Sequence, residues 1–174
     1  FGKGHNRERS HLRALLTTLP AAALLVADPG FNGYDLAQAL TLAKVNYLIR
    51  MSGKDRLYTL TETALDMSTF QDGEVLLWPE EARRAQLPAQ RVRLVCIRRA
   101  DKRDVWLLTN LAKKELPRRR ASQIYRWRWR NEGLFRTFKR TLDKMKLRHR
   151  TVGLVFREAE GSLIALQVLM AMTV

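Results

Sequence analysis

The sequence predicts an α/β fold with a mostly β insertion and C-terminal helices, and three features of its pattern lead to that prediction. Helical patterns and short apolar runs alternate over residues 7–51, in the order typical of an α/β layer. Alternating and β-rich runs separated by turn-like residues occupy residues 52–110. Helical spacing of apolar residues returns after that segment. We therefore predict three regions, residues 1–51, 52–110 and 111–174.

The first region contains two predicted helices and two predicted strands. Leucines at helical spacing predict a helix over residues 7–19, and a second helix is predicted over residues 34–43. The apolar run over residues 21–27 predicts a buried strand, and residues 45–51 predict another. Asp28 directly follows the first of these strands, so we expect a carboxylate at the C-terminal end of that strand.

The second region is predicted to be mostly β, and the third to be helical. Four β-rich runs are predicted as strands, over residues 57–61, 74–78, 91–98 and 105–109. A helical turn is predicted near residues 79–86. Residues 121–146 predict a long helix that has Ser122 as its N-cap and follows three arginines at residues 118–120. Residues 154–172 predict a final apolar helix.

Positive charge is the strongest compositional feature of the chain. Lys and Arg number 32 against 17 Asp and Glu, which gives a formal net charge of +15. Residues 112–157 hold 16 of these basic residues against three acids, so the charge is concentrated in one segment. Such an excess indicates a polyanionic partner. Nucleic acid is the first candidate, an anionic membrane surface the second, and a ribosomal-type binding role the third.

Cysteine usage and hydropathy narrow the class of protein further. Cys96 is the only cysteine, which excludes a disulfide framework and a thiolate zinc cluster and indicates a reducing compartment such as the cytoplasm. No apolar stretch reaches the length that a membrane-spanning helix needs. We therefore expect no membrane-spanning segment, and a membrane is not the favoured partner.

The predicted long helix presents a group of polar residues on one face. Tyr125, Arg128, Glu132 and Lys139 are spaced by three, four and seven residues, which places them within about 60° of arc. An amphipathic surface helix with solvated charges would explain this pattern. However, Glu132 lies beside the apolar sector, where an acid must be paired or ligate a metal. Arginines on the opposite side, among them Arg136 and Arg140, form a cationic sector.

The pattern Tyr125-x2-Arg128-x3-Glu132-x6-Lys139 resembles the signature of IS4-like transposases, which are DDE transposases with an RNase H-like fold. Residues 105–111 and 124–132 are similar to the stretch that leads into the catalytic helix of that family. Residues 24–31 are similar to the strand that bears its second catalytic Asp. The resemblance implies an RNase H-like catalytic core, incomplete at its N-terminus in this chain, with the β-rich insertion between the second Asp and the Glu.

The resemblance also implies roles for individual residues. Asp28 would be the second metal-binding acid and Glu132 the third. Arg128 and Lys139 would contact DNA phosphate near the active site, and Tyr125 would help to shape the same pocket. In some relatives a tryptophan of the insertion stacks on a displaced base. Trp78 is the candidate for that contact, although a buried strand tryptophan is the favoured interpretation.

A transposase of this kind would hold two Mg²⁺ (or Mn²⁺) ions and would carry out phosphodiester hydrolysis and strand transfer. Its partner would be double-stranded DNA, at transposon ends and target, bound by a homodimer in a synaptic complex. It would be a prokaryotic cytoplasmic protein associated with the nucleoid. The first Asp of the family has no counterpart, because the only acid before Asp28 is Glu8, in a predicted helix. We therefore expect upstream residues to be missing, and this chain alone to bind DNA without cutting it.

Three other functions remain open from the sequence. A non-enzymatic basic nucleic-acid-binding domain would explain the charge, although not an acid beside the core edge. Another RNase H-like nuclease would share the metal chemistry. A membrane-surface role is supported only by the Trp- and Arg-rich residues 125–130.

Overall fold

The computed structural model describes residues 8–20, 22–52, 56–100, 103–128 and 151–171. The chain divides into two compact units, Phe1–Arg128 and Trp129–Val174. The second unit contains one described element, the helix α5. All other elements belong to the first unit. In chain order they are α1 (Glu8–Leu15), β1 (Leu24–Ala27), α2 (Tyr34–Leu42), β2 (Asn46–Arg50), β3 (Leu57–Tyr58), β4 (Asp72–Leu77), α3 (Glu80–Arg84), β5 (Gln90–Ile97), β6 (Val105–Thr109) and α4 (residues 118–128), followed by α5 (Val152–Ala171).

The six strands form one mixed sheet in the order β1-β2-β6-β5-β4-β3. β1 and β2 are parallel, with Ala27 opposite Ile49, and the other neighbouring pairs are antiparallel. β6 lies between β2 and β5, so the strands of residues 52–110 continue the sheet that β1 and β2 begin. The predicted α/β class is confirmed.

Helices cover both faces of this sheet, because alternate strand residues are apolar on each side. On one face, α2 buries Leu36 and Leu40 in a cluster with strand residues such as Tyr47 and Ile49. On the other face, α4 buries Ala121 and Tyr125, and this second cluster also contains Leu48, Val95, Val105 and Leu107. The site described below lies on the α4 face.

The start of α4 differs from the sequence prediction. The helix begins at residue 118, so the arginines at 118–120 form its first turn, and Ser122 lies inside the helix and is not its N-cap. Pro117 explains the earlier start. Its fixed φ suits a helix entrance, and its carbonyl accepts the first helical bond from the Ala121 N–H at 2.9 Å.

Smaller differences concern the other predicted elements. The first predicted helix is divided into α1 and a 3-10 turn, Leu16–Thr18. The predicted strand over residues 57–61 ends at Tyr58, because the chain turns back where the Thr59 N–H donates to the Thr63 carbonyl. The predicted turn near residues 79–86 and the final apolar helix are confirmed as α3 and α5. Within the described ranges, no helix is long and apolar enough to span a membrane.

Ionisation of the Tyr47 hydroxyl should lower the stability of this core at alkaline pH. Its ring is buried in β2, and burial raises the pKa of its hydroxyl to about 12, with a smaller opposing effect of the Thr41 hydroxyl. The stabilisation is complete below the unfolded pKa near 10 and is lost as pH rises towards 12. We expect the free energy of unfolding to fall by about 2–3 kcal/mol over that range. Urea unfolding at both ends of the pH range measures this fall. In Tyr47→Phe, which has no hydroxyl to ionise, the fall with pH should be smaller by that amount. An equal fall in the variant would assign the effect to other groups.

Candidate metal and nucleic-acid site

Asp28 lies one residue beyond the C-terminal end of β1 and is held in place by the turn that follows. It is the N-cap of a 3-10 turn, Pro29–Phe31, and its Oδ1 accepts a hydrogen bond of 2.8 Å from the Gly30 N–H. A Cβ at Gly30 would lie 2.9 Å from that oxygen, so any larger residue there would displace the carboxylate. Among the described residues, none donates a hydrogen bond to Oδ2. Within the described ranges, Asp28 therefore presents a carboxylate oriented by one backbone hydrogen bond, with its other oxygen not bonded.

The alternation of β1 relates Asp28 to helix α4. Leu24 and Val26 pack with the cluster under α4, whereas Leu25 and Ala27 pack on the opposite face. Asp28 is the next position in the series of Leu24 and Val26. The alternation of the strand therefore places Asp28 on the face of the sheet against which α4 packs.

Tyr125 anchors α4 to the sheet. Its side chain is 3% exposed, and Ala121, one turn earlier on the same face, is fully buried. In the described part of the chain, no hydrogen-bond partner lies within reach of the Tyr125 hydroxyl. A buried hydroxyl without a partner is costly, so this group is better suited to a ligand than to packing alone.

Arg128 follows Tyr125 by three residues and lies on the same side of the helix. Its guanidinium carbon is 5.3 Å from the centre of the Tyr125 ring, a distance typical of a cation–π contact. The half-buried guanidinium is therefore oriented by the ring beside it.

The structure thus associates three of the predicted site residues. Asp28 follows the strand whose Leu24 and Val26 pack against the cluster that contains Tyr125, and Arg128 stacks on Tyr125. Glu132, Arg136, Lys139 and Arg140 lie outside the described residues. Within the described ranges, no three His, Cys, Asp or Glu side chains form a group that could hold a metal ion. Asp28 fits the role of one oxygen ligand, which is the donor type that Mg²⁺ prefers.

Trp78 is placed far from Asp28. It follows β4, four strands from β1 and at the opposite end of the sheet. Strand spacing and rise put the two positions on the order of 25 Å apart. The indole N–H of Trp78 donates to the Leu87 carbonyl at 2.8 Å, and the Arg83 guanidinium carbon is 4.9 Å from a ring centre. These contacts support the interpretation of Trp78 as a packed tryptophan, and its role in base stacking stays a prediction.

The residues that position α4 were not found from the sequence. Arg93 in β5 donates to both carboxylate oxygens of Asp72 in β4, at 2.7 and 2.8 Å. Both side chains are buried. The remaining guanidinium nitrogen of Arg93, Nη1, donates a hydrogen bond of 2.6 Å to the carbonyl of Leu116, which lies two residues before α4. The pair therefore connects the sheet to the segment that starts the helix. A single arginine between apolar neighbours in residues 92–97 was the available signal.

Comparison with known families gives one result. A family model described as transposase DDE domain matches residues 1–168 of the chain. No curated protein matches it.

Proposed function

Because the chain belongs to the family of transposase DDE domains, we propose that it serves metal-dependent phosphodiester hydrolysis and strand transfer in DNA transposition, as an IS4-like member with an RNase H-like core. One observation carries the proposal. Tyr125 belongs to the cluster against which Leu24 and Val26 pack, so the helix that begins the Tyr-Arg-Glu-Lys pattern lies on the same face of the sheet as the residues of β1 that precede Asp28. This is the juxtaposition that a shared acid-and-phosphate site needs.

In this proposal Asp28 and Glu132 are metal ligands. Two Mg²⁺ or Mn²⁺ ions, when bound, activate the attacking water or 3′-hydroxyl and stabilise the leaving oxygen. Asp28 contributes a carboxylate whose direction is set by the Gly30 N–H, so little reorientation is needed when a cation binds. The second oxygen remains available for that cation.

The basic residues of α4 and of the sequence that follows it bind DNA in this scheme. Arg128, oriented by the Tyr125 ring, holds a phosphate near the reacting bond together with Lys139. Arg136 and Arg140 contact the backbone more generally, through the cationic sector. Tyr125 shapes the pocket and supplies a buried hydroxyl for a phosphate oxygen. The partner is double-stranded DNA at transposon ends and target, bound by a homodimer in a synaptic complex.

The number of carboxylates that can ligate metal limits the activity that we expect of these 174 residues. Glu8, the only acid that precedes Asp28, is the first residue of α1 and does not end a strand. With Asp28 and Glu132 as the only two ligands, binding of two ions is weakened. We therefore propose that this chain alone binds DNA without cutting it.

Iron-directed cleavage of the polypeptide tests the role of Asp28. Fe²⁺ replaces Mg²⁺ at oxygen sites and, with ascorbate and peroxide, cuts the backbone beside its ligands. In the presence of a short DNA duplex, we expect cuts near residues 28 and 132. Asp28→Asn should weaken them at least about 10-fold, because a direct ligand is lost. A nicking assay with Mg²⁺ should show no turnover by the unmodified chain.

Asp35→Asn is the matched control, because Asp35 is an exposed carboxylate in the first turn of α2. It should leave the cutting pattern unchanged. Equal cutting in Asp28→Asn and in the unmodified chain would remove Asp28 from the ligand set. DNA binding without any iron-directed cuts would favour the alternative of a non-enzymatic basic nucleic-acid-binding domain. Turnover in the nicking assay would refute the proposed inactivity.

A further inference from the structure

An open groove lined by arginines lies beside the first turns of α4. Its volume is about 980 Å³, and among the described residues that line it are Arg98, Arg118, Arg119, Arg120 and Arg126. The other four lining residues that the structure describes carry no charge. We refer to these five side chains and the space between them as the arginine groove. Because the groove is open to solvent, it suits a polymer backbone better than an enclosed small molecule.

Two of the first-turn arginines of the groove are oriented by neighbouring uncharged side chains. Arg118 donates to the Gln71 side chain at 3.4 Å, and Arg120 donates to Gln123 at 3.0 Å. The Arg120 guanidinium carbon also lies 5.2 Å from the centre of the Trp127 ring. These partners orient the guanidinium groups without removing their charge. In the described part of the chain, the one carboxylate paired with the groove is Asp104, which contacts Arg98 at 2.5 Å.

The position of these charges is unfavourable for the isolated protein. Three of the arginines form the first turn of α4, where the helix N–H groups already give a partial positive charge. Acidic residues are preferred at such a position, and none is present there. An anion bound in the groove would turn this repulsion into attraction. The guanidinium groups and the N–H groups of the first helical turn would then both attract the anion.

The sheet relates the groove to Asp28. β1 and β5 run in the same direction, so the end of β5 at Ile97, which lines the groove, lies at the same edge of the sheet as Asp28. The strand registers place Ile97 three strands across and two residues further along than Asp28. Strand spacing and rise make this separation on the order of 15 Å. Both positions lie on the α4 side of the sheet.

From these observations, and resting on the proposed function, we propose that the arginine groove binds the sugar-phosphate backbone of duplex DNA beside the reacting bond. At 3.4 Å per base pair, the groove would hold phosphates about four to five base pairs from the one at Asp28. Its contacts are to phosphate, so they set the position of the duplex and do not read its sequence.

The variant Arg118→Gln/Arg119→Gln/Arg120→Gln tests this proposal. Glutamine keeps the helix propensity and a polar side chain while it removes the charge. The matched control, Arg13→Gln/Lys44→Gln/Arg56→Gln, removes three exposed charges elsewhere. We expect the first variant to bind a DNA duplex about 10-fold more weakly at moderate salt, with a salt-dependence slope smaller by about 2 to 3. The control should stay within about 2-fold of the unmodified chain, and circular dichroism should show both variants folded.

A second measurement reports proximity without removing charge. Ser122→Cys places a thiol on the groove, while the existing Cys96 is fully buried, and burial raises the pKa of its thiol. A duplex with a disulfide-activated tether on its backbone should cross-link to this variant. Ser10→Cys, exposed on α1, is the control and should not cross-link above background.

The outcomes separate the groove from the proposed function. An unmodified chain that fails to bind duplex DNA would overturn both. Binding by the unmodified chain, with equal loss in the two triple variants and equal cross-linking of the two cysteine variants, would overturn the groove alone. If the unmodified chain bound duplex RNA more tightly than duplex DNA, and if this preference were lost with the three arginines, the ligand of the groove would be RNA and not DNA.

Discussion

Arg93→Met is expected to lower the free energy of unfolding by roughly 3–5 kcal/mol, because it leaves the Asp72 carboxylate buried without its partner. The two side chains are 4% and 9% exposed, so the carboxylate would stay largely shielded from solvent after the guanidinium is removed. The substitution also removes the hydrogen bond to the Leu116 carbonyl and loosens the segment before α4. Urea unfolding, with one curve for each variant, measures the effect.

Arg91→Met is the control for this prediction. Arg91 lies two residues earlier in β5 and pairs with Glu74 in β4, so the strand and the chemistry are the same. That pair is exposed, and exposed ion pairs contribute only about 0–1 kcal/mol. A loss in Arg93→Met no larger than that in Arg91→Met would show that the buried pair does not hold the sheet to α4.

Tyr125→Ala is expected to cost about 3–5 kcal/mol, since it removes a buried aromatic ring from the contact between α4 and the sheet. Tyr125→Phe keeps the ring and should leave stability unchanged or raise it by about 1 kcal/mol, because the hydroxyl lacks a partner among the described residues. The two variants therefore separate packing from the chemistry of the hydroxyl.

DNA binding by Tyr125→Phe then tests the proposed role of that hydroxyl. If it donates to a phosphate oxygen, its loss should weaken binding of a transposon-end duplex about 10-fold or more while the fold is retained. Fluorescence anisotropy at one salt concentration measures the difference. Unchanged affinity would restrict Tyr125 to a packing role, and a loss of stability in Tyr125→Phe would show that the hydroxyl is already bonded in the folded chain.

The local pattern was sufficient to predict most elements and one site residue. Alternation and apolar runs predicted the strands within a few residues, and the strand context of Asp28 predicted its place at a strand end. Errors concentrated at boundaries. The start of α4 was missed because three arginines suggested a polar lead-in, whereas the fixed φ of Pro117 begins the helix there.

Strand pairing could not be predicted because it depends on contacts between residues far apart in the chain. β6 inserts between β2 and β5, so residues near position 108 contact residues near positions 49 and 94. The burial of Arg93 follows from that pairing, since an arginine in an alternating strand is otherwise expected to face water. The separation of Trp78 from Asp28 follows from the same strand order.

The sequence by itself determined the α/β class, the basic character, the Asp28 strand end and the spacing of Tyr125 and Arg128, because composition and the order and spacing of residues along the chain are sufficient for each. Only the tertiary structure decided which face α4 covers, how Arg93 and Asp72 are paired, and that five arginines from two parts of the chain line one groove. Those features depend on strand order and register, which are set by burial summed over the whole sheet.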